Sequence, residues 1–169
     1  MSWNTISNPV TNTVISLTNY GLKVIANLNY LLSQRPKQQI VHQDSADITI
    51  SSTSFADVAP STGGAAGITI TLTLNSGNVE VEAWGTFTPP GATYSMEFDI
   101  IYDSTTRKGG THGLFSCDPG GVARQFYVKA LFTGLSVGSH TFKLQARVIG
   151  GSGTIHNNAE PIVIAAKEV

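Results

Sequence analysis

From Ser139 to Val148 apolar and polar side chains alternate without a slip. His140, Phe142, Leu144, Ala146 and Val148 share one parity; Thr141, Lys143, Gln145 and Arg147 share the other. Successive side chains of an extended chain point to opposite faces, so a strand gathers the first set onto a core and turns the second away from it. Helical geometry would scatter both sets around a cylinder. Gly134 and Gly138 punctuate the approach, Gly150-Gly151-Ser152-Gly153 the exit, and a short closing strand follows. A long, half-buried strand near the C-terminus is therefore the fixed point of the fold.

The same period recurs upstream. It predicts strands over 48–51, 55–58, 68–74, 78–87, 94–102, 125–132, 139–149 and 162–165. The clearest set Ile68, Ile70, Leu72 and Leu74 against Thr69, Thr71 and Thr73, and Tyr94, Met96, Phe98, Ile100 and Tyr102 against Ser95, Glu97 and Asp99. Asn75-Ser76-Gly77-Asn78, Pro89-Pro90-Gly91 and Asp118-Pro119-Gly120-Gly121 supply the turn chemistry between them. Short half-buried strands with polar connections and no interleaved helices predict a mainly β fold. Its form is an antiparallel β-sandwich of jelly-roll type. Segments 61–67 and 104–113, rich in Gly, Ser and Thr, read as exposed loops of that domain. The second is long enough to carry a contact surface.

Ahead of this region the period is helical. Between residues 14 and 33, Leu17, Gly21, Val24, Leu28 and Leu31 recur at three-and-four spacing, with Ile15, Leu22, Ile25 and Leu32 alongside. Pro9 falls before this helix and Pro36 stops it. The chain thus divides into an N-terminal arm and α-helix, 1–37, and a sandwich domain, 38–169. A lone helix of this length is marginal in water. Leu17, Val24, Leu28 and Leu31 are therefore expected to be covered, either by the chain's own sandwich or by another subunit or a larger particle.

Only 12% of the residues are charged, about half the usual share, and the formal net charge is -1. Phosphate binding needs clustered Lys and Arg, and the longest basic run is Arg107-Lys108, so no nucleic-acid partner is expected. The single Cys117 rules out an internal disulfide and a multi-cysteine metal centre. No basic start and apolar core mark a secretory signal, and nothing approaches the roughly 20 apolar residues that cross a bilayer. Synthesis in a cytoplasm without membrane insertion is the expectation.

No catalytic constellation emerges. His42, His112, His140 and His156 are scattered, none at metal-ligand spacing from another. His140 sits on the apolar parity of its strand and reads as a satisfied core or interface histidine. Glu80 and Glu82 share a face of one strand, while Glu97, Asp99 and Asp103 share a face of another. Alternation places both groups toward solvent. A Gly-x-Ser-x-Gly elbow and a phosphate-cradling glycine loop are absent. No catalytic residue, cofactor or metal is therefore expected, and no enzyme. Trp84 has the parity of Glu80 and Glu82 and should stand outward as a subunit contact or sugar platform, unless a bulge at Gly85 turns it inward. Trp84, Arg107 and His112 are the candidate surface contacts.

Two stretches resemble phage virion proteins. From about residue 47 to 168 the chain resembles a recurring domain of tail-fibre and capsid-surface proteins. The strand Gly138 to Val148, the run Gly151-Ser152-Gly153-Thr154-Ile155-His156-Asn157-Asn158 and the earlier segment Ser52 to Val58 carry this likeness. The opening resembles the segment that begins many phage minor tail and virion proteins, through Trp3, Pro9 and Asn27-Leu28-Asn29-Tyr30-Leu31. Ile25-Ala26 stands where that pattern usually has Arg-Asp. The resemblance implies a jelly roll that assembles as a homotrimer, held on other virion proteins of the capsid or tail by its N-terminal helix. The protein would then be a capsid decoration, a head fibre or a tail-fibre component located on the virion. The runner-up is an adhesion module of a fibre tip that binds a host surface glycan or receptor.

Overall fold

A computed structural model of the chain describes residues 22–27, 37–42, 46–59, 67–158 and 160–169. Among these residues twelve strands follow in order: β1 (Lys37–His42), β2 (Ile48–Ile50), β3 (Ala56–Asp57), β4 (Thr69–Leu74), β5 (Val79–Thr88), β6 (Met96–Tyr102), β7 (Thr106–Arg107), β8 (Phe115–Ser116), β9 (Arg124–Phe132), β10 (Gly138–Val148), β11 (Gly153–His156) and β12 (Ile162–Glu168). All pairings are antiparallel.

One sheet is built around β5. On one edge β5 pairs with β12 and, beyond it, with β11; on the other it pairs with β9 throughout. β1 closes the β12 side and β2 the β11 side. The second sheet is built around β10, flanked by β6 on one edge and by β4 and β3 on the other; β7 and β8 border β6. The chain crosses between the sheets several times, which makes a two-layer antiparallel sandwich.

The alternating parities fill the space between the layers. Phe142, Leu144, Ala146 and Val148 from β10 and Phe98 and Ile100 from β6 are fully buried, and they meet Phe87, Val81 and Phe126 of the opposite sheet. Phe98 lies flat on Phe126, with centroids 4.2 Å apart, and Phe87 meets Phe98 edge-on at 5.1 Å. Such pairs add about 0.5–1.5 kcal/mol to the apolar burial.

The strands read from the period form where expected, with ends shifted by a few residues. β1, β7, β8 and β11 were not foreseen. β1 (Lys-Gln-Gln-Ile-Val-His) has no apolar alternation of its own and is a strand because β12 supplies its hydrogen bonds in register. β12 outruns the expected 162–165 for a similar reason: pairing with β5 continues through Ala166, Lys167 and Glu168 despite their weak strand propensity. The expected helix is described only at residues 22–27, which are helical.

Candidate functional site

The outer face of the β5 sheet carries an aligned row. The register sets Val41 opposite Val163, Val163 opposite Trp84, and Trp84 opposite Tyr127. Directly opposed residues of antiparallel strands share a face, so four apolar or aromatic side chains form one stripe across β1, β12, β5 and β9. Tyr127 and Val41 are 52% and 55% exposed, whereas Val163 is buried beneath its neighbours. Pairing of β5 with β9 continues unbroken from Val79 to Phe87, so no bulge interrupts the strand and Trp84 stands outward. Gly85 has the inward parity, where a Cβ would lie 3.0 Å from Phe126 Cε1 and 3.4 Å from Ile162 Cγ1.

Beside Trp84 and Tyr127 runs an open groove of about 870 Å³, bounded also by Thr86, Gln125 and Pro161. The Tyr127 hydroxyl donates to Glu82 Oε2 at 2.5 Å, which raises the phenol's pKa. Along the same face Glu80 accepts from Lys129 at 2.8 Å and Lys167 at 2.9 Å, and these two bonds lower its pKa. The charges that border the stripe largely neutralise one another.

The outer face of the second sheet corrects an expectation. Glu97 and Asp99 do not face solvent: they are 1% and 0% exposed. Residues 103–116 fold back along the free edge of β6, and Arg107, Gly109 and His112 reach from there to the two carboxylates. Lys108, Leu114 and Cys117 donate their backbone N–H groups to the carbonyls of Ile100, Phe98 and Met96. Asp99 accepts from Arg107 at 3.0 Å and from the backbone of Gly109 and Ile100 at 2.8 Å each. Burial nevertheless dominates and raises its pKa, against the backbone bonds and the Arg107 charge. Glu97 accepts from Arg147 Nε at 2.6 Å and meets His112 Nδ1 at 2.8 Å. The segment lies this close because of its glycines. A Cβ on Gly109 would stand 2.2 Å from the Gly113 carbonyl carbon, and Gly113 itself adopts φ +70°.

The expected contact residues therefore separate. Trp84 lies on one sheet, while Arg107 and His112 lie on the other. Arg107 is one-third exposed and holds Asp99; the His112 side chain is 73% exposed and caps Glu97. Val24 is described and is 38% exposed, with Leu22 and Ile25 more open beside it. Leu17, Leu28 and Leu31 lie outside the described residues, as does most of the 61–67 loop. Sequence reasoning missed Phe55, Gln145 and Arg147 as members of the second cluster. The only cue was that Gln145 and Arg147 share a face on β10, which pairs with the strand of Glu97 and Asp99.

His140 is buried and satisfied on its apolar parity. Its Nδ1 meets Asp103 Oδ2 at 2.7 Å and its Nε2 meets the Ser136 carbonyl at 2.9 Å. The protonated ring donates to both acceptors, and the Ser136 hydroxyl also lies 3.3 Å from Nε2. Burial lowers the His140 pKa, but the Asp103 and Ser136 bonds and the Asp103 charge outweigh it, so the net shift is upward. Asp103 shifts downward: burial opposes, while the bonds from Thr141 and His140 prevail. The raised histidine contributes stability below about pH 6.5 and loses it as pH climbs through its folded value. The lowered aspartate contributes above about pH 3.9 and loses it as pH falls. The pair is strongest between those limits. Wild type should therefore exceed His140→Leu in unfolding midpoint most at pH 5–6, with the gap narrowing toward pH 8–9. A gap that is flat or widens with pH in a thermal melt series contradicts the assignment. His42, whose burial lowers its pKa, is common to both proteins and cancels.

Among the described residues no group of three or more His, Cys, Asp or Glu is placed to hold a metal ion, and no helix is long and apolar enough to cross a membrane. The molecule is a mainly β, antiparallel sandwich whose distinctive surfaces are a sheet face and a strapped sheet face. Neither a protein-family model nor a curated protein sequence matches the chain. Among solved structures it is similar to Eiger TNF from S. frugiperda, at 13% identity and TM-score 0.45, over 80% of this chain and 94% of that one. It is also similar to infectious bursal disease virus, Gx strain, at 14% identity and TM-score 0.34, over 80% of this chain and 36% of that one. For the Gt strain the figures are 13%, 0.31, 78% and 36%.

Proposed function

We propose that this protein is a non-enzymatic structural subunit of a phage-like virion. In this reading it is a homotrimeric surface appendage held on the particle by its N-terminal segment, with the sandwich outward. The observation that carries the self-assembly is the Val41–Val163–Trp84–Tyr127 row. Association surfaces are enriched in aromatic residues at their centre and depleted there in unpaired charge. This face has both properties, with Glu80, Lys129 and Lys167 paired at its border. The exposed Leu22, Val24 and Ile25 support a second apolar contact, assigned here to the particle. Placement on a virion draws on the sequence resemblance of both ends of the chain.

Light scattering on the purified full chain should give three times the chain mass. Trp84→Glu places a charge at the centre of the stripe and should weaken association by about 30-fold or more, the scale of a central hot spot. A wild-type mass of one chain, or a Trp84→Glu protein that assembles as tightly as wild type, refutes the assigned interface. Failure of the assembled protein to associate with particles refutes the virion role separately.

A further inference from the structure

The strapped face of the second sheet contains a cleft of about 650 Å³, distinct from the Trp84 groove. Its lining includes Ser54, Phe55, Thr106, Arg107, Gln145 and Arg147, and no carboxylate is among the described residues that line it. Both arginines are held from behind. Arg107 Nη1 is bound to Asp99, and Arg147 Nε and Nη2 are bound to Glu97 and the Thr111 carbonyl. The acid side chains are essentially inaccessible, at 0% and 1%, whereas the Arg107 and Arg147 side chains are 33% and 18% exposed. The positive ends therefore face the cleft, while the negative ends are sealed beneath it.

Phe55 fixes the two forks further, with its ring centre 4.2 Å from Arg107 Cζ and 4.8 Å from Arg147 Cζ. Arg107 Nε and Nη2 and Arg147 Nη1 have no hydrogen bond among the described residues. A preorganised guanidinium edge with unused donors matches the paired oxygens of a carboxylate, as it would those of a phosphate. Around these forks the lining changes to hydroxyls and amide: Ser54, Thr106 and Gln145. The Gln145 nitrogen is committed to Asp57, but its oxygen is buried without a partner. That inventory suits a ligand carrying both an acid and several hydroxyls.

We propose that this cleft binds a carboxylated saccharide, with its carboxylate on the free edges of Arg107 and Arg147. Its hydroxyls bond to the Ser54 and Thr106 side chains. The proposal does not rest on trimer formation. A monomer that binds acidic sugar would leave it standing and remove the assembly reading.

The test is a calorimetric and saturation-transfer titration of the full chain with N-acetylneuraminic acid, galacturonate, the methyl ester of each, and galactose. At least one of the two acids should bind saturably at about millimolar concentration, a usual affinity for so small a ligand. Which acid binds separates a sialylated from a uronate-rich source. Its methyl ester should bind at least tenfold more weakly, and galactose should not saturate. Arg107→Lys keeps a cation on Asp99 but loses the fork, and should weaken acid binding at least tenfold. No saturable binding of either acid, ester binding equal to acid binding, or an unaltered Arg107→Lys titration overturns the proposal. The ester comparison uses wild-type protein and decides the matter even if the variant does not fold.

Discussion

Phe98→Ala is expected to destabilise the domain by about 3–5 kcal/mol, the range for removing a buried aromatic ring from a core. Phe98 is fully buried, lies flat on Phe126 and meets Phe87 and Phe115 edge-on. Its ring comes from one sheet and its partners Phe87 and Phe126 from the other, so truncation removes contacts that hold the layers together. These neighbours are themselves large and fixed on strands, and they can collapse into the space only in part. The loss corresponds to a fall of about 10–20 °C in unfolding midpoint for a domain of this size, read by calorimetry at fixed protein concentration. Val137→Ala, at a site 72% exposed, should change stability by no more than about 0.5 kcal/mol. If Phe98→Ala cost no more than Val137→Ala, the two sheets would not meet through this cluster.

Glu97→Ala is the second large effect, and its mechanism differs. The Glu97 carboxylate is buried, and it bonds Arg147, His112 and Ser116. Removing it leaves a largely buried guanidinium without its counter-charge, which costs about 3–5 kcal/mol. Most of that penalty belongs to the stranded charge and little to the net worth of the pair. The double replacement Glu97→Leu with Arg147→Met should therefore be much closer to wild type than Glu97→Ala alone. Denaturant unfolding of the single and double variants measures this directly. A double variant as unstable as the single one would mean that the strap, and not the charge balance, carries the stability. The same comparison separates stability from ligand binding, because Arg147→Met removes one fork from the proposed saccharide cleft.

Trp84 and Glu97 illustrate the division between what could be read and what could not. Both follow a strand period, and both were assigned to an outward face. For Trp84 the unbroken pairing of β5 with β9 keeps the outward parity, and among the described residues Tyr127 stands open beside it. For Glu97 the parity was right and the surroundings were wrong. It points away from the core, yet His112, Ser116 and Arg147 close over its carboxylate. Period fixes which side of a strand a residue takes; it carries no information on what later settles over that side. β1 makes the same point for backbone, since its polar residues form a strand only because β12 offers a complementary edge.

By itself the sequence determined the mainly β class, the positions of most long strands and the inward set of Phe98, Phe142 and Leu144. These follow from local extended geometry and apolar alternation, which act within a few residues. Only the tertiary structure decided that Val41, Val163, Trp84 and Tyr127 would align, and that Arg107 and Arg147 would meet at Phe55. Those juxtapositions depend on strand order, register and a glycine-permitted loop path. Each joins residues far apart in the chain, where local periodicity has no reach.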